Sequence, residues 1–118
     1  MEGNSLLHVL RGGRAGGGYS TVSDLHKFSV ALQNSKLLKP KTVARHFEDH
    51  NKTRYGYGSL VQQTFNGKVV GHGGGFPGIS AMLELHLDKG FTVVVVASHD
   101  SAALPLAQRM GQLLQQIR

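Results

Sequence analysis

The sequence predicts an α+β domain, a mostly antiparallel sheet with helices packed on it. Two segments of helical apolar spacing come first, strand-like segments joined by tight-turn signals follow, and a last helical stripe closes the chain. A length of 118 residues holds one such domain. It reads as an irregular glycine-rich arm over 1–18 and a single folded unit over 19–118, with no internal repeat.

The arm ends in Arg11-Gly-Gly-Arg-Ala-Gly-Gly-Gly18, too flexible to form an element. Thr21-Val-Ser-Asp24 is a capping signal, a hydroxyl at the N-cap and a carboxylate three residues on at the helix's positive end. Val22, Leu25, Phe28 and Leu32 then recur at helical spacing, which predicts a helix over about 21–34 stopped by Asn34-Ser35. Pro40 suits the first turn of a shorter helix running through Val43, Ala44 and Phe47.

After Lys52 the period changes. Tyr55–Gln63 and Lys68-Val-Val flank Asn66-Gly67, the pair of central residues preferred by a type I′ hairpin. Ala81, Leu83, Leu85 and Leu87 alternate with Met82, Glu84, His86 and Asp88, which predicts a strand with one buried face. Asp88-Lys-Gly90 turns into Phe91–Ala97, apolar on both faces and so predicted as a central, doubly covered strand. Leu106, Met110, Leu113, Leu114 and Ile117 form an apolar helical stripe, with Asp100 or Ser101 as its cap and Pro105 in its first turn.

The absence of cysteine excludes a disulfide scaffold and thiolate chemistry. No stretch approaches the roughly 20 apolar residues of a membrane span, and Met1-Glu2-Gly3-Asn4 lacks the basic start of a signal peptide, so the chain carries no address to read. The net charge of +6 raises nucleic acid as a partner. Yet the basic residues between Arg11 and Arg54 stand singly, without a run or an aromatic ladder. They read as a solvated basic face, or one that meets an acidic partner or anionic substrate.

Glycine, 16 residues in all, concentrates in two loops, 12–18 and 71–78. Gly73-x-Gly75-x-x-Gly78 matches a dinucleotide fingerprint, with Asp100 some way downstream, but the following segment alternates as a strand and opens no helix. His72-Gly-Gly-Gly75 matches a lipase oxyanion loop, but no G-x-S-x-G elbow accompanies it. A plain glycine turn with His72 as a surface or core histidine stays open. His46 and His50 lie four apart, a spacing that two zinc ligands use, but Glu48 is misplaced for His-Glu-x-x-His and no third ligand is evident. No metal or cofactor is implied. His99-Asp100-Ser101 reads as a loop and helix cap, because triad partners seldom adjoin.

Three stretches in order carry a resemblance: Ala15–Phe28 with its glycine turn and helix, Tyr55-Gly-Tyr-Gly58, and Gly71-His-Gly-Gly-Gly-Phe-Pro-Gly-Ile-Ser80. Together they resemble the C-terminal part of the serine β-lactamase and penicillin-binding protein family, in its class C-like branch with D-aminopeptidases and esterases. The third stretch resembles that family's Lys-Thr-Gly strand in a His-x-Gly variant. The resemblance implies a partial β-lactamase-like fold and a substrate groove for β-lactams, D-amino-acid peptides or esters. It implies the Gly75 backbone N–H as oxyanion donor, His72 in the place of the family's lysine, and Gly73 and Gly74 as bare strand against which substrate lies.

The family's Ser-x-x-Lys nucleophile pair and its Tyr-x-Asn or Ser-x-Asn element occur nowhere in the chain. No catalytic set is complete, and the chain alone is expected to be inactive. A non-catalytic ligand-binding or scaffold module that uses the His-Gly-Gly-Gly groove is the alternative. In the family, the first strands pair beside the final strand. The resemblance therefore implies an open edge at 92–97 and, through it, a homo-oligomer or a complementing N-terminal chain.

Overall fold

The computed structural model describes residues 11–114 and 116. The first ten residues of the arm and Ile117 of the terminal stripe lie outside the described residues. The order is α1 (Val22–Gln33), α2 (Pro40–His46), β1 (Leu60–Thr64), β2 (Gly67–Phe76), β3 (Ile79–His86), β4 (Phe91–Ala97) and α3 (Ala103–Leu114). The strands form one antiparallel meander, β1-β2-β3-β4. This is the α+β class that the periodicities predict.

α1 starts where its cap dictates: the Thr21 hydroxyl accepts from Asp24 N–H at 3.1 Å. Pro40 occupies the first turn of α2. One cluster, Leu32, Val43, Phe47, Val61, Val70 and Leu85, binds both helices to one face of the sheet. A second, Met82, Val93, Val95, Ala103 and Ala107, binds α3 to the other. The sheet is thus covered on both faces.

That layering corrects three sequence expectations. β3 has two covered faces rather than one, because α3 lies over Met82 and His86 while Leu85 packs toward α1 and α2. β4 is doubly covered as its sequence suggests, yet it is the last strand of the described sheet rather than a central one. α3 meets the sheet through Ala103, Ala107 and Gly111. Leu106, Met110 and Leu113 of the apolar stripe remain exposed. Small residues at this spacing let the helix approach the sheet closely, and a Cβ on Gly111 would stand 3.1 Å from the His86 ring.

The turns differ as well. Thr64 pairs with Gly67, so Phe65 and Asn66 form the hairpin loop, and Gly67 alone of the expected pair has positive φ, at 115°. The Thr64 hydroxyl sets this register by donating to the Gly67 carbonyl (2.8 Å) and accepting from Asn66 N–H (3.2 Å). Tyr55–Ser59 is a loop closed by a Tyr55–Leu60 bridge, not the start of a strand. The glycines at 71–75 are not a loop: β2 runs through them to Phe76, and only Pro77-Gly78 turns. Proline followed by Gly78 at φ 81° is the type II pattern.

α3 is capped from outside its own sequence neighbourhood. Asp100 accepts from Gly78 N–H at 2.7 Å, and Ser101 sits at φ 57°. The α3 amide of Ala103 instead donates to the Ser80 hydroxyl of β3 at 3.0 Å, and Ser80 donates to the His99 carbonyl at 2.8 Å.

Candidate functional site

β1 ends opposite Gly71, whereas β2 continues to Phe76 along β3. The 72–76 half of β2 therefore has one open side among the described strands. Leu87 N–H donates to the Lys68 carbonyl at 3.0 Å, and the register between β2 and β3 is continuous from there. In an antiparallel ladder the hydrogen-bonding direction alternates by residue. Val70, His72, Gly74 and Phe76 thus address β3, while Gly73 and Gly75 turn their N–H and C=O groups to the open side.

Bareness along this edge has a physical counterpart at one neighbouring position. A Cβ on Gly71 would overlap the Leu83 carbonyl, so glycine is required there, whereas one on Gly74 would meet nothing within 4 Å. Gly74 is bare without being crowded.

His72 lies on the α1 and α2 face of the sheet, in the row of Val70. Its Nε2 hydrogen-bonds the Tyr55 hydroxyl at 3.0 Å, with the two rings edge to face. In the sequence Tyr55 stands out only through the Tyr55-Gly-Tyr-Gly58 motif, and no local signal marks it as a partner of His72. The contact depends on the 55–60 loop, which folds back because Gly56 N–H donates to the Ser59 carbonyl and Gly58 takes φ 87°. A Cβ on Gly56 would overlap the His46 carbonyl, so the loop can approach the end of α2 only with glycine there.

That approach makes a second histidine–hydroxyl contact, His46 Nε2 to Ser59 Oγ at 2.8 Å. Burial holds the His46 imidazole below its ordinary pKa, so the ring is neutral near pH 7. A neutral imidazole beside a hydroxyl has the elements of a base and an alcohol. Ser59, however, is only 6% exposed, and the pair serves to fasten the loop to α2.

His50 Nε2 contacts the Arg45 carbonyl at 2.8 Å, and the His50 ring lies against Tyr57. His46 and His50 are therefore committed to different partners. No group of three or more metal-binding side chains occurs among the described residues. Arg45, His46, Tyr57, Leu38 and Thr42 line a groove of about 340 Å³ beside α2. The glycine strand is an open edge outside that groove. No described helix is long and apolar enough to cross a membrane.

Asp100, the acidic residue of the dinucleotide pattern, secures the Pro77-Gly78 turn, and Gly78 leads into a strand. Both facts are incompatible with a phosphate loop that opens a helix.

The Beta-lactamase family profile matches residues 3–115. No curated protein matches the chain. Among solved structures, the crystal structure of a penicillin-binding protein from Bacillus halodurans is similar, with a TM-score of 0.76 and 26% identity over 86% of this chain. The match covers 33% of that protein, so this chain spans about one third of its relative's length. With a profile match over nearly all its residues, the chain belongs to the β-lactamase family.

Proposed function

We propose that this chain supplies the substrate-backbone and oxyanion wall of a β-lactamase-type acyl-transfer site. The observation that carries the reading is the open edge of β2, where Gly73 and Gly75 direct backbone groups outward and the strand beside them has ended. A fixed N–H works as an oxyanion donor because it is oriented before charge develops on the reacting carbonyl. Gly75 N–H takes that role, and the edge from Gly73 receives an extended substrate backbone by strand addition. His72, held by Tyr55, stands beside the bound chain as a polar contact for an acyl-D-alanyl peptide, a β-lactam or an ester.

The chain holds no serine followed three residues later by lysine, so it has no nucleophile of the family's kind. Alone, it binds and does not turn over. The same absence favours the second reading, a ligand-binding or scaffold module that uses this edge without chemistry.

The test has two arms. Nitrocefin and p-nitrophenyl ester hydrolysis by the 118-residue chain is expected to equal that of His72→Ala, and turnover above that control overturns the inactive reading. An acyl-D-Ala-D-Ala peptide or a penicillin is expected to raise the melting temperature by linkage. Gly75→Pro deletes the outward N–H at an edge position where proline is tolerated, and the shift should disappear. The absence of a shift with every ligand in the wild-type chain overturns the groove.

A further inference from the structure

We propose that Tyr55 is a positioning residue of the substrate edge. Its hydroxyl donates to His72 Nε2, which leaves the imidazole proton on Nδ1 and makes that nitrogen a fixed donor to an acceptor oxygen of the substrate. This role rests on the reading of β2 as a substrate wall, and the test below keeps the two apart.

The contact sits at a defined place in the sheet. Gly71 is the last β2 residue paired with β1, through Leu60, so His72 begins the half of the strand that is paired on β3 alone. His72 Nε2 and the Tyr55 hydroxyl oxygen are 3.0 Å apart, and the two rings meet at 81°.

Tyr55 is built into its loop by backbone pairing on both sides. It bridges Leu60, its carbonyl accepts from His50 N–H at 3.2 Å, and the preceding Arg54 carbonyl accepts from Val61 N–H at 2.9 Å. The following Gly56 N–H donates to the Ser59 carbonyl at 2.8 Å. These bonds fix the point from which the phenol reaches out. Tyr57 is occupied elsewhere, by the His50 ring and the Arg45 guanidinium. Of the two tyrosines in the motif, Tyr55 is the one whose hydroxyl reaches the glycine strand.

The direction of the bond follows from the chemistry of the two groups. A phenol oxygen shares its lone pair with its ring and donates more strongly than it accepts, whereas the bare nitrogen of a neutral imidazole is a good acceptor. The hydrogen bond made at one ring nitrogen decides what the other presents. With Tyr55 donating to Nε2, Nδ1 carries the proton. Among the described residues no carboxylate lies within ion-pair distance of His72, so no acid competes with the phenol for the ring.

Room for a ligand adjoins that ring. Residues two apart in a strand share a face, so the position next to His72 on its own face is Gly74, where a Cβ would meet nothing within 4 Å. A side chain at 74 would fill this space. An extended substrate laid along Gly73 and Gly75 therefore passes a histidine with one nitrogen held by Tyr55 and the other free to donate. A lysine ammonium would offer three donors on a flexible stem, but this ring offers one. The group that matches it is a single acceptor oxygen, of a carbonyl or a carboxylate.

Long-range proton–nitrogen NMR spectra of the 118-residue chain, taken at about pH 8 where an ordinary histidine is neutral, read the tautomer directly. The His72 signals, assigned by their loss in His72→Ala, are expected to show a protonated Nδ1 and a bare Nε2. Tyr55→Phe removes the hydroxyl alone and should move the ring to the Nε2–H form that free histidine prefers, with the far-UV spectrum unchanged. A purely structural tyrosine would leave the tautomer where it was.

Calorimetric titration with an acyl-D-Ala-D-Ala peptide and with a penicillin supplies the second readout. Tyr55→Phe is expected to weaken binding about fivefold to tenfold when His72 is present and not at all in the His72→Ala background, because a positioning residue acts only through the group it positions. Repeating the cycle with the peptide amide separates the two oxygen sources: coupling that survives assigns a carbonyl, coupling that is lost assigns the carboxylate, and either supports a donating Nδ1. A proton on Nε2 in the wild type overturns the proposal whether or not the variant folds, and so does a tautomer indifferent to Tyr55→Phe. Equal losses of affinity in both backgrounds also overturn it, since Tyr55 then acts without His72. A wild type with the expected tautomer that binds neither ligand overturns the substrate edge itself and the positioning role with it, so the two failures are told apart.

Discussion

At the residue scale, the 55–59 loop is held by two histidines whose hydroxyl partners lie in it. Tyr55 reaches His72 and Ser59 reaches His46, and both contacts follow from a glycine-permitted approach of residues 55–59 to α2. His46 also gives stability a pH dependence of definite sign. Its folded pKa lies below the ordinary 6.5 through burial, so on acidification the unfolded chain takes up this proton first. The His46 contribution is intact above about pH 6.5 and fades as pH falls below it. Wild type should therefore lose more of its urea midpoint than His46→Gln between about pH 7.5 and 5.5. Equal losses would show that the His46 proton plays no part. The histidine pairings were not legible in the sequence, because His46 and Ser59 are thirteen residues apart and His72 and Tyr55 seventeen. Only the hairpin and the loop bring them together.

At the scale of elements, β2 has two halves with different duties. From Gly67 to Gly71 it is an interior strand between β1 and β3, and from His72 to Phe76 it is paired on β3 alone. Glycine means something different in each half. Gly71→Ala drives a methyl group into the Leu83 carbonyl, and backbone cannot swing aside as a side chain can. We expect a loss of about 1–3 kcal/mol or more, as for overpacking, read as a lowered midpoint in urea. Gly74→Ala meets nothing and should leave the midpoint within about 0.5 kcal/mol of wild type. Equal costs at the two positions would refute this division. Composition reads 71–78 as a glycine loop, whereas the resemblance treats the same stretch as a strand, and β2 runs through it to Phe76. Glycine is usually counted as a turn former, but here it permits close approach at Gly71 and leaves an edge bare at Gly74. The strand periodicity that would have shown it needs side chains, and glycine has none.

For the whole molecule, three layers hold a sheet whose described strands end at β4, with larger apolar side chains on the outside of α3 than beneath it. A domain this small buries a modest share of its chain surface, so apolar area left in water is a substantial part of its balance.

The sequence by itself determined the class and the order of elements. The Thr21 cap, Pro40, the alternation of 81–88 and the apolar run of 91–97 are local signals, and short-range periodicity is enough to read them. It also carried the family likeness, through motifs whose order a chain preserves without folding. Tertiary structure decided which face of α3 is buried, that β4 is the last of the described strands, and which hydroxyl each histidine meets. Those outcomes depend on the relative placement of segments far apart in the chain. Helical periodicity shows that a stripe exists, but only the neighbouring layer determines whether leucines or alanines face the core.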